Sequence, residues 1–435
     1  MAVARTCINH SIGFDVRNLL RAAVRSRPGG AGNDGIVPEF ERRFAEHIGA
    51  GMCVAFPFAR SAFLATLQAM DLPPGSEVVL PPITIQPMVD AVRSVGCRPV
   101  VVDIDPGTLL FDPEQLAQHL SERTRVVMIT YLFGIASDPT PIIDAARAIG
   151  ARVVEDFSHN LGASVHGRPV GTFGDVGIYS TSATKTLDTY GGGLAVTDDE
   201  ELAAKLRRAQ GQLRATPRSR LLAKVSGTLL WNVTSSRTAW TLATFPLVRW
   251  LRRRHPGVEL AISGARKPPS GSTGPADPWF ERFTAQQAAA GLELLPEVAA
   301  TDRIRVANAE QIRATLRYLG VPVPAGSLGG QHVHWQCVAY IEDVERVQQG
   351  LAADGFDTAG TNLRLVCECE PSSCRHPVGR AVKRHALYLP CHPGVRASSL
   401  HRLTRSLTRL RPVASETLRS GPGPGATDPG GDRAT

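Results

Sequence analysis

The chain has 435 residues, 43% hydrophobic, 20% charged and 6% aromatic. This is a globular composition, which excludes wholesale disorder, a collagen-like repeat and a coiled coil, and the length allows two or three domains. Formal net charge is +8, but Leu202 to Val258 alone carries twelve Lys or Arg and no Asp or Glu, so the remainder sums to 8 − 12 = −4 and is slightly acidic. A basic character confined to one block does not point to nucleic acid.

Residues 12–30 read as a helix followed by a Gly-rich turn. PEFERRFAEHIG then has helical spacing, with Phe40, Phe44 and Ile48 on one stripe and Gly49 as its stop. Short apolar runs and helical segments alternate from there. CVAF, EVVL, RPVVVDID, TRVVMITYLFG and ARVVEDF are the strands; SAFLATLQAM, MVDAVRSVG, DPEQLAQHLSE and PTPIIDAARAIG are the helices. That alternation predicts an α/β fold whose mainly parallel sheet carries helices on both faces. VGIYST and GGLAVT add two strands on either side of Lys185.

After Gln210 the chain becomes apolar, basic and Trp-rich, and ARKPPSGSTGPADP reads as a loop. FTAQQAAAGLELL through YLG is a long helical region. The rest, to about Pro412, reads as α+β: HVHWQCVAYI a strand, DVERVQQGLAADG a helix, HALYLPCHPGV a strand and turn. The expected organisation is therefore an N-terminal segment 1–30, a large domain 31–212, an insertion 213–277, a helix and small domain 278–412, and a disordered tail 413–435. No uncharged apolar stretch is long enough to span a bilayer, and the first residues lack the apolar core of a secretory signal. Eight scattered cysteines do not resemble a disulfide framework, so a cytoplasmic setting is expected. Cys367, Cys369, Cys374 and His376 cluster within ten residues, but Cys-x-Cys is not a standard zinc spacing and no metal is expected.

The chemically informative stretch runs from Val153 to Leu206. Asp156 ends a predicted parallel strand, the edge at which open α/β sheets bind ligands. Lys185 follows in a Ser/Thr-rich segment, where a held lysine can form a Schiff base with an aldehyde. Pyridoxal 5'-phosphate needs such an amine, a carboxylate for its ring nitrogen, donors for its phosphate and a group over its ring. Lys185 and Asp156 can supply the first two. Ser180, Ser182 and the turn Ala59–Ala62 before a helix, with Arg60 and Ser61, can supply the third. His159 can stack on the ring or bond its phenolic oxygen. Taken singly, a lysine in a polar segment is more often solvated, and a strand-end aspartate is commonly a cap.

The order of these segments resembles the DegT/DnrJ/StrS family of pyridoxal-phosphate sugar aminotransferases, of fold type I. The resemblance covers about residues 12–212 and 278–412. It is carried by PEFERRFAEHIG, LPPGSEVVLPPITI, ARVVEDFSHNLGA, the block GRPVGTFGDVGIYSTSATKTLDTYGGGLAVTDD, RFTAQQAAAGLELL and LYLPCHPGV, with the lysine 29 residues after the aspartate. The resemblance implies that Lys185 is the Schiff-base lysine, that Asp156 pairs with the pyridinium and that Ser180 and the backbone at Arg60 and Ser61 bind phosphate. It implies transfer of an amino group, from glutamate as donor, to a nucleotide-linked keto-sugar, and a homodimer. The chain also departs from the family. Ala59–Arg60 replaces a Gly-Thr turn, Ile85 an aromatic, Tyr131 a His, His159 a Gln, Phe280 an Asn, and Tyr190 precedes three glycines. These departures leave open a different pyridoxal reaction, such as dehydration, or a non-catalytic scaffold; the dehydratase branch, however, replaces the lysine by His.

Seventy residues separate Gly211 from Arg282, where the family has a much shorter connection. They hold Trp231, Trp240, Trp250 and Trp279, and the apolar runs TLLWNV and TAWTLATFPLV. The runs are flanked by Arg218, Arg220, Lys224 and by Arg252, Arg253, Arg254. Trp and Arg bordering short apolar runs suit either a membrane-surface contact through residues 218–254 or a helical hairpin packed on the body.

Overall fold

The computed structural model describes residues 1–6, 10–24, 35–254, 275–360, 364–365 and 376–419. Seven strands make the central sheet: β1 Met52–Phe56, β2 Glu77–Leu80, β3 Arg98–Val101, β4 Thr124–Thr130, β5 Arg152–Asp156, β6 Val176–Ser180 and β7 Gly193–Thr197. Their spatial order is β1-β7-β6-β5-β4-β2-β3. β7 is antiparallel to both β1 and β6, while β6, β5, β4, β2 and β3 pair in parallel.

Both faces of the sheet are covered, so its strands are apolar throughout rather than alternating with polar residues. In β4, Val126 and Met128 enter one core, and Val127 and Ile129 the other. On one face lie α3 (Ala59–Ala69), α4 (Gln86–Ser94) and α7 (Glu200–Gly211), contributing Phe63, Leu67, Met88, Val92, Leu202 and Leu206. The other face takes α2 (Ile36–Ile48), α6 (Thr140–Ala148) and the helix Ala285–Leu294, through Phe40, Phe44, Ile142 and Ala288. α2 ends as its sequence demands: Gly49 has φ +71°, a left-handed cap that glycine adopts without a Cβ penalty.

The C-terminal part is a separate α+β layer. Strands Cys337–Tyr340, Ala386–Leu389 and Ala359–Gly360 form an antiparallel sheet. Helices Val298–Tyr318, Val344–Ala353 and Ala397–Leu410 cover it with Ile312, Leu316, Leu351, Leu403 and Leu407.

Two expectations are corrected here. The strand expected over HVHWQCVAYI covers only Cys337–Tyr340. His334 has φ +46°, and the Val333 and His334 N–H groups donate to Gly134 O, so this stretch turns across the large domain instead of extending the ladder. The tail expected to be disordered from 413 is packed as far as 419. Ala414 bridges Ile341, Val413 N–H donates to Asp343, and Leu418 is fully buried. The apolar Val413 and Leu418 lie before the Gly/Pro-rich run that suggested disorder; that run lies outside the described residues.

The basic insertion is docked on the body. Helix α8 (Arg218–Ser235) packs along α1 (Ile12–Val24), burying Val225 with Phe14, Tyr190 and Ala290. A short turn, a π-helical turn Trp240–Thr244 and a helix Phe245–Arg254 bring the chain back, and Arg252 pairs with Asp357 at 2.9 Å.

Glu155, adjacent to Asp156 but on the opposite face of β5, anchors this frame. Its carboxylate is buried and accepts from Tyr131 OH (2.7 Å), Gly171 N–H (3.1 Å) and Gly174 N–H (2.6 Å). Glu155→Gln turns an amide donor toward at least one of these buried donors. The expected loss is about 1–3 kcal/mol of stability, measured as a lower denaturation midpoint with an unchanged denaturant slope.

Candidate active site

The carboxyl ends of β4, β5 and β6 open onto one cavity of about 200 Å³. Parallel register sets its floor: Thr130 lies opposite Asp156, and Asp156 opposite Ile178, two residues before Ser180. The cavity is lined by Asp156, His159, Ser180, Ser182 and Lys185, by Arg60 and Ile85, and by Phe58, Thr84, Met88, Thr130 and Tyr131. Seven of the eight expected site residues thus converge. Ser61 does not. Its N–H already donates to Phe58 O (3.0 Å), and its side chain lines a neighbouring cavity with Leu64, Gln68 and Trp279. Ser61 is the third residue of α3, and its Oγ is buried with no hydrogen-bond partner.

Lys185 is held by a strained, pinned loop. Thr184, a β-branched residue, has φ +76°, a conformation that persists only where the surroundings enforce it. The enforcement is visible: Trp335 Nε1–H donates to Thr184 O at 2.8 Å, and Lys185 N–H donates to Ser182 O at 3.1 Å. The same Trp335 ring stacks on His159, with centroids 3.8 Å apart and planes 10° from parallel. Its centroid is 4.8 Å from Lys185 Nζ. Trp335 therefore orders two cavity residues at once. It lies in the segment misread as strand, and no local pattern flagged it.

Electrostatics follow burial. Lys185 is pushed down to about 8 by burial, which Asp156 only partly offsets. Asp156 is raised by burial, against which Ser158 hydrogen bonds and the Lys185 charge pull down. His159 is held well below its ordinary value by burial and then by Lys185, so its imidazole is neutral. Phe133 N–H donates to its Nδ1 (3.3 Å), which leaves the proton on Nε2 as a donor.

One corner gathers groups that fit a phosphoryl anion. Ser180 and Ser182 hydroxyls are 2.9 Å apart. The opening turn of α3 abuts them because Gly193, paired with Ser180, has no side chain: a Cβ there would lie 2.1 Å from Phe58 C and 2.2 Å from Ala59 N. Arg60 stacks on Phe58 (3.8 Å) and Trp279 (5.3 Å), its Nε lacks a hydrogen-bond partner, and among the described residues it has no carboxylate partner. Burial lowers it to about 10. An amine that is partly neutral, a buried carboxylate, two hydroxyls, a helix start and an uncompensated arginine match the requirements of pyridoxal phosphate.

The segment after Lys185 is tied to the N-terminal helix. Tyr190 OH donates to Asp15 (2.8 Å), His10 bridges Asp15 (2.8 Å) and Asp188 O (2.7 Å), and Asn232 of α8 donates to Asp15 (3.1 Å). Tyr190 thus serves this junction. The cysteine cluster 367–374 lies outside the described residues; the described cysteines, Cys53, Cys97, Cys337 and Cys391, are buried.

The depressed Lys185 makes a cofactor-independent expectation. Because only the free amine is nucleophilic, acylation of Lys185 read by mass spectrometry should reach half its maximal rate near pH 8. Exposed lysines should require about pH 10.4. A Lys185 profile matching the exposed lysines contradicts its burial.

A model of the DegT/DnrJ/EryC1/StrS aminotransferase family matches residues 16–232, half of the chain. GDP-perosamine synthase of Caulobacter vibrioides is 35% identical over 176 residues, 40% of this chain and 47% of that protein. The L-glutamine:scyllo-inosose aminotransferase of Streptomyces griseus is 33% identical over 184 residues, 42% of this chain and 43% of that protein. The chain thus spans about half the length of the curated relatives it matches. The fold is shared further: the aminotransferase from Psychrobacter cryohalolentis superposes with a TM-score of 0.72 at 20% identity, over 93% of this chain and 98% of that one. With the matching family model and these relatives, the chain belongs to the DegT/DnrJ/EryC1/StrS aminotransferase family.

Proposed function

We propose that the chain is a pyridoxal-phosphate-dependent aminotransferase that transfers an amino group from glutamate to a keto-sugar carried on a nucleotide. The observation that carries this reading is the convergence of Lys185 and Asp156 in one buried cavity beside the Ser180–Ser182–Arg60 corner. The sugar link rests on relatives named as GDP-perosamine synthase and dTDP-4-dehydro-2,3,6-trideoxy-D-glucose 4-aminotransferase.

The roles follow from chemistry. The bound cofactor would supply an electron sink for the charge left when the donor's α-carbon loses its proton. Lys185 Nζ is the amine that anchors the cofactor and then the base that carries that proton, a task suited to a group titrating near neutrality. Asp156 holds a proton at the pyridine nitrogen. Ser180, Ser182, Arg60 and the start of α3 fix the phosphate. His159 Nε2–H would be available to the phenolic oxygen, and Ile85 would offer the ring an apolar surface. The buried amine with its depressed basicity favours a catalyst over a scaffold.

Two finer features belong to this reading. The chain acts as a homodimer, for which the exposed stripe Ile12, Val16 and Leu20 on α1 offers an apolar face. The insertion also rests on a membrane surface. Among the described residues no helix is long and apolar enough to cross a membrane. Leu242, Leu247 and Trp250 are exposed, however, and Arg254 lies 4.5 Å over the Trp250 ring, a pairing that suits an interface of anionic headgroups.

The purified chain mixed with pyridoxal phosphate should develop a visible absorption band that Lys185→Ala abolishes, and glutamate should convert the cofactor to its aminated form. A band indifferent to glutamate excludes this donor; no band at all removes the cofactor reading. Anionic liposomes should float the wild-type chain and not a Leu242→Glu/Leu247→Glu variant. Absence of flotation by the wild type removes the membrane contact.

A further inference from the structure

Helix α8 of the insertion reaches the edge of the cavity. Lys224 Nζ lies 5.0 Å from the centroid of Phe58, the ring on which Arg60 stacks at 3.8 Å. It also reaches the glycine turn that follows Lys185: a Cβ on Gly191 would sit 3.4 Å from Lys224 Nζ and 3.7 Å from its Cε. Two cations of different elements therefore share one aromatic ring in the cavity wall.

Among the described residues their charges are not locally balanced. Lys224 feels Glu281, Arg220 and Arg60. The one carboxylate among them, Glu281, is engaged by Arg220 at 3.1 Å. Three cations thus face a single anion, and neither Arg60 nor Lys224 has an ion-pair or hydrogen-bonded carboxylate among the described residues. Two half-buried like charges held together without an anion repel each other and cost stability. A dianion placed between them reverses the sign of that interaction, and lysine is a common phosphate ligand.

We propose that Lys224, carried by the inserted helix, joins Arg60 to bind a phosphoryl anion at the Phe58 edge of the cavity. The insertion is then part of the active site and not only a surface addition. This inference rests on the cofactor reading above. The shared chemistry is a phosphoryl group with two negative charges. Its source is either the cofactor's 5'-phosphate or the diphosphate of a nucleotide-linked sugar.

The test uses the full chain as wild type, Lys224→Met, which keeps the aliphatic stem on Phe58, and Lys224→Arg, which keeps the charge. Absorbance titrations give Kd for pyridoxal phosphate and for pyridoxal, which lacks the phosphate. Calorimetry gives Kd for UDP on the cofactor-loaded protein. If the anion is the cofactor's, Lys224→Met weakens pyridoxal phosphate about tenfold and leaves pyridoxal within about twofold, while Lys224→Arg stays near wild type. If it is the substrate's, the tenfold loss falls on UDP and pyridoxal phosphate is unchanged. The proposal is overturned if neither affinity moves, if pyridoxal weakens as much as its phosphate, or if Lys224→Arg loses as much as Lys224→Met. A wild type that shows no Lys185-dependent band overturns the cofactor reading itself. A wild type that shows it, with Lys224→Met indistinguishable, overturns only the role of Lys224.

Discussion

A lysine and an aspartate buried in one cavity are the constraint on which the rest of this molecule depends. Taking either charge out of water costs several kcal/mol unless something compensates it. The compensation is partial on both sides: Lys185 is pushed down to about 8 and Asp156 is raised. The amine then exchanges protons near neutral pH, and the carboxylate keeps a reason to attract a cation. Parallel strands make this arrangement possible. They end at one edge of the sheet, so Thr130, Asp156 and Ser180 arrive together while the apolar cores on both faces exclude water.

Holding the pair requires parts from far along the chain. Trp335 fixes the strained Thr184 carbonyl and stacks on His159, linking the C-terminal half to the lysine loop. Gly193 lets the start of α3 touch the strand that carries Ser180. Glu155 faces away from the cavity and satisfies three donors, so the strand that presents Asp156 cannot shift freely. None of these three residues performs chemistry, yet each fixes the position of one that is proposed to.

The insertion changes how the departures from the family pattern read. Tyr190 belongs to a polar junction that joins α1, α8 and the segment after Lys185. Arg60 and Lys224 both lie against the Phe58 ring and bring positive charge to that edge of the cavity. One of these basic side chains comes from α3 and the other from the inserted helix. The exposed Leu242, Leu247 and Trp250 lie on the same inserted segment, on the side away from the buried Trp240, Phe245 and Val248.

The sequence by itself determined the alternation of strands and helices, because a sheet covered on both faces needs continuous apolar runs and its helices need a 3.6-residue stripe. It also singled out Lys185 and Asp156, which the fold brings to one cavity, since strand ends and a Ser/Thr-rich lysine segment are local patterns. It also named Ser61, which does not line that cavity, because which residues of a helix's first turn meet a cavity depends on what packs around the helix. It extended a strand through His334, because a left-handed turn at a non-glycine residue leaves no local signal. Trp335 and Lys224 were invisible as site residues for a related reason. Each meets residues that line the cavity only through tertiary packing, one from 150 residues after the lysine and the other from a helix docked along α1. Periodicity and motif spacing report what a residue's neighbours in the chain require. Which distant side chains complete a buried charge is settled only when the folded body brings them within a few ångströms.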